Sequence, residues 1–195
     1  EWTETSIDGL FATGEITCSI HGANRLGGNS IAEGQVFGRR SGLRASQFAK
    51  KHDYPEINDA LVKKEIEHAE SFLNNKNGKS AKEIIKALRE IMWQNVGIIR
   101  TEKQLLKAKK DLEELQKEAR KITAKTRGQL QSCLEAEAMI ETGLAIVNSA
   151  ILRKESRGAH YRKDYPEMDK KWEKNIIITK KNGKFQTKIV PVVKN

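Results

Sequence analysis

The chain has 195 residues, 37% of them hydrophobic, which is enough to build a core in one or two domains and argues against disorder. Its formal net charge of +10 comes from lysines interleaved with glutamates, as in "KKEIEHAE" and "KAKKDLEELQKEARK", and only 6% of residues are aromatic. That is the pattern of solvated helix faces, so no nucleic-acid partner is expected; apolar runs such as "LAIVNSAIL" (144–152) fall far short of the roughly 20 residues of a membrane span, so no direct membrane insertion is expected either.

The opening "EWTETSIDGLFATGE" has no initiator methionine and no signal-peptide pattern, and "GLFATGE" reads as a short buried strand ending in a turn. The chain is expected to enter partway through a fold. "HGANRLGGNS" (21–30) follows as a loop, and a helix then opens at Ser30, with Ile31, Ala32, Val36 and Phe37 at helical spacing and Gly34 and Gly38 leaving room for a close neighbour. Pro55 disfavours helix at Tyr54 and puts a boundary near 50–56. The next helix has Ile57, Leu61, Ile66, Ala69 and Leu73 on one face and stops at "NNKNGK". Ser80 with Glu83 predicts a capping box and a helix striped by Ile84, Ile85, Leu88, Ile91 and Met92, interrupted at Gly97. Thr101 with Gln104 predicts a second capping box, opening a helix with a seven-residue repeat: Leu105, Leu112 and Ala119 in one position, Ala108, Leu115 and Ile122 in the other. A last helix, roughly 128–155, carries Ala136, Ala138, Met139, Leu144, Val147 and Ile151 around much of its circumference and is expected to be the most buried. Three or four antiparallel helices around one core accommodate these segments. In "NIIITKKNGKFQTKIVPVV" an Asn-Gly pair between β-branched runs predicts a hairpin at about 176–193.

Chemistry concentrates in two places. The loop at 21–30 puts three glycines, two asparagines, a histidine and an arginine ahead of a helix start, where free amides and a positive dipole end suit an anionic or electron-rich ligand edge. Arg25 is suited to grip a carboxylate with both prongs of its guanidinium. His21 is either a proton carrier or, as is commoner in a tight loop, a structural hydrogen-bonder; Glu15 is either an ordinary strand-end carboxylate or an acceptor for a ligand hydroxyl. The second place, "ESRGAHYRKDYPEMDKKW", is either a packed, hydrogen-bonded crossing or the border of a site. No phosphate loop, dinucleotide fingerprint, HExxH or nucleophile elbow is present. Cys18 and Cys133 are far apart and the four histidines scattered, so no metal site is expected and a reduced, intracellular protein is the default.

Three stretches in order, "GLFATGEITCSIHGANRLGGNSIAEGQVFGRRSG", "LREIMWQNVGIIRTEKQLLKAKKDLEEL" and "ESRGAHYRKDYPEMDKKWEKN", resemble the flavoprotein subunit of succinate dehydrogenase and fumarate reductase over nearly the whole chain except the final hairpin. The resemblance implies a mainly α fold: the last strand, loop and helix of an FAD-binding domain (1–52), an antiparallel three- to four-helix bundle (53–160), and a C-terminal extension with a short β-hairpin (161–195). It also implies hydride transfer between FAD and the carbon–carbon bond of a C4 dicarboxylate, interconverting succinate and fumarate, with electrons passing to or from an iron–sulfur partner subunit. Carried over, Arg25 binds a substrate carboxylate with His21 beside it, Glu15 accepts a hydrogen bond from FAD, and Asn29, Ser30 and Ile31 meet the flavin, the last two through backbone amides that stabilise negative charge on the reduced ring.

The dinucleotide fingerprint, the capping domain and the arginine that delivers the proton all lie upstream in the family. No catalytic residue is therefore expected within this chain, and on its own it should neither hold FAD tightly nor turn over. The implied location is cytoplasmic, at the inner membrane face where partner subunits provide an anchor. Two departures stand out: Glu15 to His21 is one residue shorter than the family pattern, and Ile31 stands where leucine is usual. L-aspartate oxidase shares the HGANR-type loop and an "ESRG" region; "LGGNS", where the oxidase has "LASNS", and Trp172 favour the dehydrogenase and reductase branch. The alternative outside catalysis is a helical module whose bundle and basic surface dock a protein partner.

Overall fold

The computed structural model describes residues 2–17 and 20–192, so Cys18 lies outside the described residues. Contacts gather into two compact units, Glu1–Asn58 and Asp59–Asn195.

In the first unit α1 spans Asn29–Ala49, starting one residue ahead of the expected Ser30. Its N-cap is Gly28 at φ 86°, a backbone state that side chains with a Cβ rarely adopt. The strand expected over residues 9–15 reduces to one antiparallel bridge between Phe11 and Glu4, flanked by Thr5 N–H donating to Leu10 O (3.0 Å) and Ala12 N–H to Thr3 O (2.9 Å). After it, Gly14–Ile16 close as a 3₁₀ turn. A longer ladder needs a neighbour to take its outward amides, and among the described residues this segment has only its own doubled-back start. Beside Gly34 and Gly38 the space is open. Phe48 meets Phe11 edge-to-face at 6.2 Å and stacks on His52 at 3.8 Å, holding the end of α1 against the N-terminal bridge.

The second unit is a bundle of α2 (Asp59–Asn74), α3 (Ala81–Val96), α4 (Glu102–Ala119) and α5 (Leu130–Leu152). Its apolar core draws Ile84 and Leu88 from α3, Leu105, Ala108, Leu112 and Leu115 from α4, and Ala136, Ile140, Leu144 and Val147 from α5. Each position of the seven-residue repeat is buried; Ile122, the last, packs just beyond the end of α4. Ala138 of α5, expected inside, is exposed. The stripe expected on α2 holds only at its C-terminal end: Ala69 and Leu73 are half-buried, with Leu73 packed on the core, while Ile57, Leu61 and Ile66 are more than half exposed and Phe72, outside the stripe, is the most buried residue of the helix. α2 reaches α5 through its C-terminal half, where Phe72 packs and His68 Nε2 lies 2.8 Å from Glu137 Oε2, while its first turns stay largely exposed.

Caps fix the helix starts. Ser80 and Glu83 form the full capping box, with Glu83 Oε2 accepting the Ser80 amide at 2.8 Å. At α4 the box is half made: Thr101 Oγ1 accepts the Gln104 amide at 3.3 Å but donates its own hydroxyl to Gln104 Oε1 at 2.7 Å, so the Gln104 side chain does not reach back. Instead Asp164 Oδ2, from sixty-two residues downstream, accepts the Glu102 amide at 2.8 Å. Between α2 and α3 the chain passes so close to residue 121 that a Cβ on Gly78 would fall 1.5 Å from Lys121 O. Only glycine fits there.

Two short strands, β1 (Ile99–Arg100) and β2 (Tyr161–Arg162), pair in parallel and tie the α3–α4 corner to the segment after α5. The C-terminal hairpin is β3 (Lys174–Lys181) and β4 (Lys184–Pro191), turning at Asn182 (φ 52°) and Gly183 (φ 74°) as the Asn-Gly pair predicts. Phe185 anchors it on the core.

Candidate functional site

Of the two polar regions, the one after α5 is fully used in holding the fold. Arg162 has no exposed surface and donates to Ala150 O at 2.8 Å, covering the carbonyl end of α5, while its Nε and Nη2 clasp both oxygens of Asp164 at 2.8 Å. This clasp, the first cause, outweighs the burial that works against it and holds the Asp164 carboxyl well below the usual carboxylate range. Glu155, also fully buried, accepts from Arg157 (2.8 and 3.0 Å), the Asp169 amide (2.8 Å) and Arg153 (2.7 Å). Burial alone would raise its pKa, and these hydrogen bonds bring it below the ordinary value. The region is the packed, hydrogen-bonded crossing.

His160 sits inside that crossing, and its protonation follows from its partners. Arg100 Nη1 lies 2.9 Å from Nδ1 and can only donate, so Nδ1 is the acceptor and Nε2–H points to Arg153 O at 3.2 Å. Burial, then the charges of Arg100, Arg162 and Arg153, depress its pKa below the ordinary 6.5, against the Arg153 carbonyl that favours the proton. Below 6.5 the unfolded chain therefore takes up a proton that the folded chain does not. Stability from this residue is complete above 6.5 and falls as the pH drops from there toward the depressed value. Denaturation midpoints measured at pH about 7.5 and about 5.5 should differ more for the parent chain than for His160→Gln; equal differences would remove this assignment.

The loop ahead of α1 is built differently. Gly14 (φ 81°), Gly22 (φ 63°) and Gly28 (φ 86°) put positive-φ turns along it, and a Cβ at Gly22, Gly27 or Gly28 would meet nothing within 4 Å. Backbone here faces open space, where a flat ligand can approach it. Arg25 is exposed and has no hydrogen bond or ion pair with any described residue. Glu15, Asn29 and Ile31 are exposed and Ser30 half-buried. At the start of α1, Asn29 N–H donates to Leu26 O (3.3 Å) and Ile31 N–H to Gly28 O (3.2 Å), while Gly28 offers no side chain as a cap.

Glu33, one turn into α1, was not singled out by spacing or motif, yet it is the buried centre of this region, 6% exposed. Its Oε1 accepts from the Gly14 amide (3.0 Å) and the Thr17 hydroxyl (3.1 Å), and its Oε2 lies 3.6 Å from His21 Nε2. His21 Nε2 is buried without a hydrogen-bond partner among the described residues. Among the described residues, no group of three or more His, Cys, Asp or Glu could hold a metal, and no helix is long and apolar enough to cross a membrane.

Residues 85–195, more than half of the chain, match the family described as fumarate reductase flavoprotein C-term. The chain belongs to the succinate dehydrogenase and fumarate reductase flavoprotein family. Residues 1–31 match the family described as FAD binding domain, so the flavin-domain match ends where α1 begins. An uncharacterised FAD-dependent oxidoreductase of Methanocaldococcus jannaschii is 40% identical over 95% of this chain and 34% of its own length. One polypeptide of the fumarate reductase (CoM/CoB) of Methanothermobacter marburgensis is 35% identical over 93% of this chain and 34% of its own. E. coli quinol fumarate reductase superposes with a TM-score of 0.87 at 28% identity, covering 98% of this chain and 35% of that one. The mainly α fold with its closing hairpin is that of the family's C-terminal region, and the chain spans about a third of the length of the curated relatives it matches.

Proposed function

We propose that this chain is the substrate-gripping, C-terminal part of a longer flavoprotein that interconverts succinate and fumarate, and that it is inactive by itself. The observation that carries the reading is Arg25: an exposed guanidinium without a partner among the described residues, on a glycine loop leading into the amide end of a helix, in a chain of this family. Arg162, which serves the fold, is paired, whereas a guanidinium that grips a diacid needs its donors available. In this reading Arg25 binds a carboxylate of the C4 dicarboxylate and His21 stands beside it. The open glycine loop fits a flat ring, and Glu15, Asn29, Ser30 and Ile31 are the residues that would hold FAD.

Bound FAD would supply hydride exchange with the substrate's carbon–carbon bond. The residues of this chain orient the diacid and present amide dipoles toward developing negative charge. No residue of the chain is assigned as proton donor. We place the end of the flavin domain at 1–52, the helical domain at 53–160 and a C-terminal extension at 161–195. An iron–sulfur subunit is the electron partner, and the location is cytoplasmic, at the inner membrane face through partner subunits.

The test is a pair of titrations. The complete flavoprotein should show bound-flavin absorbance that shifts on adding fumarate, and it should oxidise a reduced viologen dye only when fumarate is present. The 195-residue chain, given FAD and then fumarate, should show neither change. Fumarate-independent behaviour of the complete protein would overturn the reading; a spectral response from the chain alone would overturn its inactivity.

A further inference from the structure

Burying a carboxylate is unfavourable unless its oxygens find donors, and in the first unit Glu33 is the buried residue among those described. An acid near the start of a helix gains from the dipole while standing in water. That gain explains neither the burial of Glu33 nor its partners. All three partners lie on the segment carrying the proposed ligand residues: Gly14 directly precedes Glu15, Thr17 shares its single hydroxyl hydrogen between Gly14 O at 2.7 Å, which closes the same turn, and Glu33 at 3.1 Å, and His21 lies four residues before Arg25. The turn that carries Glu15 is thus hydrogen-bonded to a carboxylate of α1, and the His21 ring, ahead of Arg25 in the chain, lies 3.6 Å from the same group.

We propose that Glu33 is a positioning residue. Its carboxylate holds the Gly14–Thr17 turn and faces the His21 ring at 3.6 Å, and so sets where Glu15 stands and where the chain enters the Arg25 loop. The proposal rests on Arg25 being the dicarboxylate ligand.

The experiment compares Glu33→Ala, Glu33→Gln and Arg25→Ala in the complete flavoprotein, measuring fumarate KM and kcat, flavin content and melting temperature. Alanine removes all three contacts and should raise the KM about tenfold or more, a displacement of about 1 Å being sufficient for such losses. Glutamine keeps an acceptor for Gly14 and Thr17 and drops the charge facing His21; it should fold and raise the KM about threefold. A role confined to stability would lower the melting temperature and leave the KM of both variants within about twofold of the parent, and that result overturns the proposal. If alanine does not fold, an unchanged KM in the glutamine variant overturns it alone. Should Arg25→Ala also leave the KM unchanged, the substrate assignment itself has failed; an Arg25 effect without a Glu33 effect rejects only the positioning role.

Discussion

Arg25→Ala in the complete flavoprotein should lower kcat/KM for fumarate about 100-fold while leaving flavin content and melting temperature unchanged. A charge-assisted, two-pronged contact to a carboxylate contributes about 1.5–3 kcal/mol, and about 1.4 kcal/mol is a factor of ten, so losing it amounts to one to two orders of magnitude. The absence of any stability cost is as much part of the expectation as the loss of rate. Arg25 is exposed and unpaired among the described residues, so its removal orphans no partner. Arg25→Lys should fall between, keeping the charge and losing the planar fork. Steady-state kinetics with a reduced dye, flavin absorbance and a thermal melt check the three parts together. Near-normal kinetics in the alanine variant would remove the substrate assignment.

The opposite profile is expected at Arg162, where the loss is of stability. Arg162→Met keeps the apolar length and deletes the guanidinium, leaving the last carbonyls of α5 uncovered and Asp164 without its clasp. Removing one partner of a buried pair costs about 3–5 kcal/mol. Asp164 retains 29% side-chain exposure and can rehydrate, so the lower end, about 3 kcal/mol, is expected. Urea unfolding of the 195-residue chain, followed by circular dichroism, measures it. Arg127→Met is the control: Arg127 also pairs with an acid at 2.8 Å, Glu70, but with 80% of its side chain in water, and should change stability by less than about 1 kcal/mol. Equal effects of the two substitutions would mean that burial is not what makes the Arg162 pair matter.

Local signals in the sequence carry through to the structure. Ser80 and Glu83 are three residues apart and cap each other, Asn182 and Gly183 adopt the left-handed states their turn needs, and the seven-residue repeat of α4 falls on buried positions. A residue whose partner comes from elsewhere in the chain carries no such signal. The acceptor for the first amide of α4 is Asp164, not the nearby Gln104. The apolar stripe of α2 is real as a pattern, but among the described residues its burial is confined to the C-terminal turns that reach α5. In the candidate site the glycine loop and Arg25 were legible because glycine and arginine advertise their chemistry by type. Glu33 was not: one glutamate in a helix rich in polar residues looks like any solvated side chain, and its burial depends on a turn nineteen residues earlier. The signal available was its place one turn into a helix that follows a glycine loop, a position where an acid can fold back over the loop it caps.

The clasp between Arg162 and Asp164 has a consequence for how the polypeptide is made. α4 begins at residue 102, yet its opening amide finds its acceptor at 164, and Arg100 meets His160 across sixty positions. A nascent chain that has emerged only to the end of α5 thus has both helix sequences and neither closure. Loops of this span are slow to close, because the entropy of bringing their ends together is lost before any contact compensates it. Emergence of Asp164 supplies the acceptor for the amide end of α4 together with the guanidinium that covers the carbonyl end of α5, so a protease cut between Leu152 and Arg162 in the finished protein would leave both helix ends held by a segment no longer covalently joined to α5.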